Sequence, residues 1–257
     1  MSKHTAKRIE DIEAVRGAFR RVRDEIGVSS FGINVIDYPP NAEWSPDHAE
    51  PDQEEVYVTL SGAGEIDVQG ERIPLDPGVL IRIAPGTRHK MLPGPEGMRV
   101  LALGGIPGRP YEPPDFSKLE IDGEGAPEPD FTVRRIDEME STFRGGMLKA
   151  RAELGVSAFG MQILEFPANA DRYPEHDHAE AGQEEVFLVL DGEAELEVDG
   201  VALKLDPETI VRVAPEARRK LRTRGSPARI LALGATPGRA FEPVGLTEIG
   251  QPDPLDG

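Results

Sequence analysis

His176 and His178 stand two residues apart in the segment Pro174–Gly192, which continues with paired carboxylates and an apolar run. The whole chain has only five histidines. In an extended strand, residues i and i+2 point to the same face, so both imidazoles can aim at one point. This spacing predicts a metal site.

The residues themselves leave open which carboxylate completes the site. Glu185 shares a strand face with Phe187, and Glu184 shares the opposite face with Val186. Both faces therefore have apolar neighbours, as in a packed double sheet. Two imidazoles with one carboxylate form the facial set that leaves open positions on iron(II) and similar divalent ions. The alternative is a solvated acidic loop with incidental histidines.

The composition excludes several classes of function. The chain has 257 residues and a formal net charge of -18. This charge argues against nucleic-acid or anionic-membrane partners, because both require clustered Lys and Arg. There is no cysteine, so thiolate ligands, thiol nucleophiles and disulfides are excluded. No apolar run approaches the length of a membrane span, and no signal-peptide core follows the N-terminus. We expect a cytoplasmic protein.

An internal repeat divides the chain into two copies. The offset between matching segments is 128 residues early in the repeat and 130 later, so the second copy has gained two residues. The matches include Gly27–Gly32 with Gly155–Gly160, Gln53–Val56 with Gln183–Val186, and Leu101–Gly104 with Leu231–Gly234. We predict an N-terminal domain over 1–115, a linker rich in Pro, Gly and acidic residues over 116–130, and a C-terminal domain over 131–257.

The two inserted residues fall inside the proposed site. When the copies are aligned from the Gln-Glu-Glu segment, His48 pairs with His178. This alignment leaves the first copy without an equivalent of His176. The two copies are therefore expected to differ in chemistry.

Hydrophobic periodicity predicts one amphipathic helix and many strands. Apolar residues at spacings of three and four predict a helix over 5–26. The equivalent segment of the second copy, before Leu154, is interrupted by Gly145–Gly146, so any helix there is shorter. Asp199–Gly200 and, more weakly, Gln69–Gly70 predict hairpin turns. The predicted strands lie near 31–38, 55–60, 64–69, 71–75, 79–83, 99–103, 159–166, 185–190, 193–198, 201–205, 209–213 and 229–233. Many short strands with even turn spacing predict a sandwich or barrel.

The segment from His176 to Gly192 resembles the first motif of the cupins, in which His-x-His is followed by a Glu, six residues and a Gly. Glu185 lies at that spacing from Gly192, so the resemblance favours Glu185 over Glu184. It implies an all-β fold, a bicupin of two tandem jelly-roll β-barrels. The helix pattern adds short helices preceding each barrel.

The resemblance also implies a further histidine on a later strand, after a Pro-x-Gly-type turn. His89 stands at that place in the first copy, and Arg219 replaces it in the second. Each copy therefore keeps two histidines and one carboxylate. The candidate metal ligands are His48, Glu55 and His89 in the first copy, and His176, His178 and Glu185 in the second.

Arg219 is the candidate catalytic residue. A guanidinium beside a divalent cation is unfavourable unless an anion lies between them. Arg219 could bind a negative group of a substrate at the metal, pair with Glu185 in a site that has lost metal, or turn outward into the basic strip 218–224. For the first copy, the alternative to a metal site is a vestigial pocket in which two histidines hydrogen-bond Glu55.

The function implied is that of a metal-binding bicupin acting on a small oxygenated or anionic molecule, with a divalent Fe, Mn, Ni or Zn ion as cofactor. A metal-dependent dioxygenase is one candidate, and isomerase or decarboxylase chemistry is another. A non-catalytic small-molecule-binding or structural bicupin is the alternative, because a fold does not choose a function. We expect a small-molecule ligand or substrate as partner, no nucleic acid, no membrane, and a monomer or homodimer.

Overall fold

Strands dominate the computed structural model, which describes residues 3–16, 18–114, 120–121 and 125–256. Part of the predicted linker, residues 116–119 and 122–124, lies outside the described residues, as does residue 115. Two α-helices are present in the described part, α1 over Val22–Ile26 and α2 over Ala150–Leu154. Short 3-10 turns cover Ile9–Asp11, Ile136–Glu138 and Gly245–Thr247.

The strands of the first copy alternate with tight turns, as the sequence pattern predicts. They are β1 His4–Arg8, β2 Ala14–Val15, β3 Phe19–Arg20, β4 Gly32–Tyr38, β5 His48–Ala49, β6 Glu54–Val68, β7 Glu71–Leu75, β8 Val79–Ile83, β9 His89–Gly105 and β10 Glu120–Ile121. The strands of the second copy are β11 Phe131–Arg135, β12 Ser141–Thr142, β13 Met147–Leu148, β14 Gly160–Phe166, β15 Glu184–Gly192, β16 Ala194–Val198, β17 Val201–Leu205, β18 Thr209–Val213, β19 Arg219–Arg222 and β20 Ala228–Ala235.

The predicted strands are confirmed, although the two predicted near 55–60 and 64–69 form one strand, β6. Within the described residues the strands form three sheets, in the orders β1-β18-β15-β20-β14-β13-β12, β11-β8-β6-β9-β4-β3-β2 and β17-β16-β19. Strands β5, β7 and β10 join the second of these sheets beside that path. We call the barrel built around β4–β9 the first barrel and the barrel built around β14–β20 the second barrel.

Each copy contributes its first strand to the sheet of the other copy. Strand β1 pairs antiparallel with β18 of the second barrel. Strand β11 pairs antiparallel with β8 of the first barrel. The domain limits 1–115 and 131–257 remain a prediction, but the sheets do not follow them at these two strands.

The helix predicted over 5–26 is wrong. Residues His4–Arg8 form β1, and only Val22–Ile26 is α-helical. Ile9 and Ile12 are nevertheless fully buried against the other barrel. The apolar spacing therefore marks burial, while the open edge of β18 offers backbone hydrogen bonds that favour a strand over a helix.

The described part of the chain packs around three apolar cores. The alternation along β6 sends Val56 and Val58 into a core shared by the two barrels, and Tyr57 into the interior of the first barrel. Phe187 points into the interior of the second barrel in the same way. Glu55 and Glu185 have the parity of these inward-facing residues, so the strands deliver both carboxylates to the barrel interiors.

Both predicted hairpin turns are present. Gln69–Gly70 and Asp199–Gly200 adopt positive φ at both positions and connect directly paired strands. Gly192, the last residue of the first motif, also has positive φ, and a Cβ there would lie 2.1 Å from the Pro227 carbonyl oxygen. Only glycine fits this crossing of β15 and β20.

In the part of the chain that the structure describes, no helix combines the length and apolar character needed to cross a membrane.

Candidate metal centres

The second barrel brings its site residues together from three segments. Glu185 lies at the start of β15, and Arg219 begins β19. The loop carrying the two histidines is tied to β19 by a backbone bridge, in which the N–H groups of His176 and Arg219 each donate to the other residue's carbonyl at 3.1 and 2.8 Å. The His178 N–H donates to the Pro215 carbonyl at 2.8 Å.

The side chains of this site converge on the Glu185 carboxylate. His178 Nε2 lies 3.2 Å from Glu185 Oε1, and His176 Nε2 lies 3.8 Å from Glu185 Oε2. The donor atoms of the three residues all lie within 4.8 Å of one another. His176 Nδ1 lies 3.1 Å from the Pro174 carbonyl. It therefore carries the hydrogen in the neutral ring, which leaves the Nε2 lone pair available to a metal.

Arg219 points into the site rather than outward. Its side chain is fully buried, and its Nε lies 2.9 Å from Glu185 Oε2. Its Nη1 donates to the Ala217 carbonyl at 2.9 Å. The side chain of Arg219 therefore does not turn outward into the basic strip 218–224.

Several buried polar atoms of the second site lack a hydrogen-bond partner within the described residues. They are His178 Nε2, Glu185 Oε2, and Nε and Nη2 of Arg219. Their close contacts with one another do not have hydrogen-bond geometry. Buried polar atoms are normally satisfied, so this group of atoms fits a bound ligand.

The electrostatics keep Glu185 ionised. Burial alone would raise the pKa of Glu185, but the contact with His178 and the charge of Arg219 hold that pKa below its ordinary value. Burial also raises the pKa of the nearby Tyr173 hydroxyl. The carboxylate is thus anionic and the phenol neutral at physiological pH.

The first barrel forms a similar cluster of two histidines and one glutamate. Glu55 Oε2 lies 3.3 Å from His89 Nε2 and 3.8 Å from His48 Nε2. The two imidazole centroids are 4.5 Å apart. The Nδ1 atoms face backbone carbonyls, at 3.1 Å for His89 and 3.3 Å for His48. The Nε2 atoms therefore face the carboxylate in this barrel too.

Tyr57 distinguishes the first site from the second. Its hydroxyl lies 3.0 Å from Glu55 Oε1 and 2.8 Å from His89 Nε2. The second barrel has Phe187 at this strand position, which provides no hydroxyl. Although burial opposes it, the contact with Glu55 raises the pKa of His89. The first site thus carries an internal hydrogen-bond network where the second has unpartnered atoms.

The structure shows which histidine of the second copy is equivalent to His48. His48 pairs through its backbone with His89, as His176 pairs with Arg219. His48 is therefore the equivalent of His176, and the pairing with His178 expected from the sequence is wrong. The two inserted residues follow His178, so the early offset of 128 residues still applies and places Glu50 opposite His178.

Sequence reasoning missed Glu50. It is buried, with 8% of its surface exposed. Burial and then the Glu55 carboxylate raise the pKa of Glu50 to about 7, against a smaller opposing effect of His89. Pro46-Asp47-His48 matches Pro174-Glu175-His176 at an offset of 128 residues. The same offset pairs Glu50 with His178, so this match could have identified Glu50 from the sequence.

The two glutamates of each Glu-Glu pair have separate roles. Glu184 is fully buried and accepts hydrogen bonds from the Ser29 and Ser30 N–H groups of the first copy at 2.8 and 2.9 Å. Glu54 accepts equivalent bonds from the second copy, from the Ser157 and Ala158 N–H groups at 2.7 and 2.6 Å. The first glutamate of each pair therefore joins the barrels, and the second faces the site.

Comparison with known proteins identifies the family. The model of the cupin domain matches the chain twice, over residues 34–104 and 162–234. This chain belongs to the cupin family. The two matches contain the strands of the two barrels, so the expected bicupin architecture is confirmed. Comparison with curated protein sequences gives no significant match.

Solved cupin structures share the fold at low sequence identity. Protein Ylba of E. coli is 15% identical with a TM-score of 0.65, covering 94% of this chain and 93% of its own. A cupin 2 conserved barrel domain protein of Leptotrichia buccalis is 13% identical with a TM-score of 0.56, covering 90% and 88%. A variant of Bacillus subtilis oxalate decarboxylase is 13% identical with a TM-score of 0.61, covering 92% and 78%.

Proposed function

We propose that this bicupin binds a divalent metal ion through His176, His178 and Glu185, and binds a small carboxylate-bearing molecule beside it through Arg219. The observation that carries the proposal is the group of buried unpartnered atoms in the second barrel. Atoms of His178 and Glu185 that can bind a cation, and N–H groups of Arg219 that can bind an anion, lie together in that pocket.

The donor set fits a catalytic metal. Two imidazoles and one carboxylate suit Fe, Mn, Ni or Zn and leave positions open for substrate. Their donor atoms are already close together, within 4.8 Å. The unpartnered His178 Nε2 and Glu185 Oε2 belong to two of the three proposed ligand residues. A bound metal would satisfy both.

Arg219 fits an anionic group of the substrate. Its unpartnered Nη2 and Nε can donate to a carboxylate, which a guanidinium matches in charge and geometry. Such an anion would also separate the guanidinium charge from the metal charge. Oxalate decarboxylase, a solved structure with the same fold, is named for a small dicarboxylate. A small mono- or dicarboxylate is therefore the substrate class we favour.

The residues of the pocket would bind and orient the substrate. When bound, the metal would supply a Lewis acid that polarises substrate oxygens. Arg219 would hold the carboxylate, and the apolar neighbours Phe187 and Val189 would limit the access of water. Dioxygenase chemistry and redox-neutral chemistry, such as decarboxylation or isomerisation, both fit this arrangement. Oxygen uptake by the iron-loaded protein distinguishes them.

One observation favours a second candidate, a non-catalytic binding or structural bicupin. Arg219 already contacts Glu185 at 2.9 Å, so the buried carboxylate has a counter-charge without a metal. In the first barrel, Tyr57 already connects Glu55 and His89. Under this alternative, the pockets would bind a ligand or nothing in a metal-independent way.

Calorimetric titration with oxalate as the probe tests the proposal. We expect the Mn(II)-loaded protein to bind oxalate, the chelator-treated protein to bind it at least about tenfold more weakly, and the loaded Arg219→Lys variant to lose affinity because lysine cannot donate bidentately. Equal oxalate binding with and without chelator would favour the non-catalytic alternative.

A further inference from the structure

We propose that Glu50 is the fourth protein ligand of a divalent-cation site in the first barrel, where it takes the place that His178 occupies in the second. The site would then consist of His48, Glu50, Glu55 and His89, two imidazoles and two carboxylates. This inference rests on the proposed metal binding and assigns a different metal preference to each barrel.

The backbone places Glu50 at a ligand position. His48 pairs with His89 as His176 pairs with Arg219. Glu50 follows His48 by two residues, as His178 follows His176. Residues at this spacing in an extended segment point to the same side, so the backbone places Glu50 on the same side as His48. The Glu50 carboxylate lies outside the group of His48, Glu55 and His89 donor atoms that are within 4.8 Å of one another, so it would have to move towards them to bind the same ion.

The turn before the last histidine anchors Glu50. The Gly86 N–H donates to the Glu50 carbonyl at 2.7 Å. In the second barrel, the matching turn binds His178 by accepting its N–H at the Pro215 carbonyl. The same turn thus positions Glu50 in one barrel and His178 in the other.

The carboxylate of Glu50 has no hydrogen-bond donor among the described residues. Only 8% of Glu50 is exposed, and across the described ranges no side chain or backbone group donates a hydrogen bond to its carboxylate. Burial of an unpaired charge is strongly unfavourable. A divalent cation would supply a counter-charge to this carboxylate.

The charge balance differs between the barrels. In the second barrel, one carboxylate faces one buried guanidinium, Arg219, and the pair is neutral. In the first barrel, Glu50 and Glu55 would give two negative charges when both are ionised, and the imidazole of His89 stands in place of the guanidinium. A divalent cation would balance the formal charge of the two ionised carboxylates. The first barrel is therefore the tighter of the two cation sites.

The ligand types also set the metal preference. Carboxylates suit Mg, Ca and Mn, whereas imidazoles suit Zn, Cu, Fe and Ni. The first barrel would have two carboxylates with two imidazoles, and the second would have one carboxylate with two imidazoles. We therefore expect the first barrel to prefer Mn(II), and the Glu50→His substitution to shift that preference towards Ni(II) or Zn(II).

The test uses the full chain with the second site disabled by His176→Ala. Metal is stripped with a chelator, and Mn(II) is titrated while electron paramagnetic resonance measures the free ion. We expect Glu50→Gln to weaken Mn(II) binding at least about tenfold, the range seen for disrupted metal environments. Glu43→Gln, which removes an exposed carboxylate nearby, is the matched control and should leave the affinity unchanged. Thermal melts verify that each variant is folded.

The outcomes separate this inference from the proposed function. If Glu50→Gln binds Mn(II) within twofold of its parent while His89→Ala abolishes binding, Glu50 is not a ligand, and metal binding by the first barrel stands. If the parent itself binds no Mn(II), Ni(II) or Zn(II), both the inference and the first-barrel metal site are overturned. Retained binding in Glu50→His with an altered metal preference supports the inference and excludes a general folding defect.

Discussion

The Nε atom of Arg219 lies 2.9 Å from Oε2 of Glu185 in the interior of the second barrel. At the matching place in the first barrel, His89 Nε2 lies 3.3 Å from Glu55 Oε2. The same backbone frame therefore presents a permanent cation to one carboxylate and a titratable imidazole to the other. This difference predicts that the two barrels respond differently to the binding and removal of a cation.

Replacement of Arg219 should destabilise the metal-free protein and should be compensated by metal. Arg219→Met leaves Glu185 buried without a counter-charge, and removal of one partner from a buried pair costs about 3–5 kcal/mol. Denaturant unfolding with and without Mn(II) measures this effect. Arg72→Met, which removes an exposed arginine, is the control. An unfolding free energy of Arg219→Met that Mn(II) does not raise would mean that the metal does not reach Glu185.

The neighbouring residues Glu184 and Glu185 should separate stability from metal binding. Glu184→Gln removes the charge that Arg212 Nε contacts at 2.5 Å and weakens the inter-barrel bonds to Ser29 and Ser30. We expect a loss of about 3 kcal/mol in unfolding free energy with metal content retained. Glu185→Gln should instead lose second-barrel metal. Metal loss in Glu184→Gln, measured on folded protein, would refute the division of roles.

Tyr57→Phe should make the first barrel resemble the second. The hydroxyl contacts Glu55 and His89, so its removal should lower the stability of the metal-free protein by about 1 kcal/mol. Mn(II) binding should persist, because Tyr57 is not among the proposed ligands. Loss of Mn(II) from folded Tyr57→Phe would show instead that the phenol oxygen is a ligand.

Gly192 should tolerate substitution less well than a hairpin glycine. Both Gly192 and Gly200 have positive φ, but only Gly192 meets backbone closely, with 2.1 Å from its added Cβ to the Pro227 oxygen. Gly200→Ala carries only the left-handed penalty of about 1–2 kcal/mol. Gly192→Ala should lower the unfolding free energy by more than Gly200→Ala does, because its Cβ also collides with backbone. Equal losses in chemical denaturation would contradict the proposed close crossing.

The strands and their inward faces were predictable because side chains alternate along a strand. The runs in β6 and β15 alternate between the shared core and a barrel interior, as Val56 and Tyr57 do. The hairpins followed from Asp199–Gly200 and Gln69–Gly70, whose residues tolerate positive φ. The motif spacing also predicted which histidines and glutamates form the two clusters, although their role as ligands remains a prediction.

The remaining features depend on long-range pairing that local patterns do not encode. The segment His4–Arg8 is a strand only because β18 of the other barrel has an open edge beside it. The equivalence of His48 and His176 depends on where the two inserted residues lie, which the bridges to His89 and Arg219 reveal. Glu50 is one acidic residue among 47 Asp and Glu, so its burial could not be foreseen from composition.

Elemental analysis of the native protein beside the His176→Ala and His89→Ala variants tests the central claim most directly. We predict that the native protein, purified or reconstituted with Fe, Mn, Ni or Zn, contains metal, that His176→Ala loses the second-barrel share, and that His89→Ala loses the first-barrel share. Unchanged metal content in folded His176→Ala would contradict the second-barrel assignment. Native protein that holds no metal even after reconstitution would contradict the whole account and favour a metal-free binding protein.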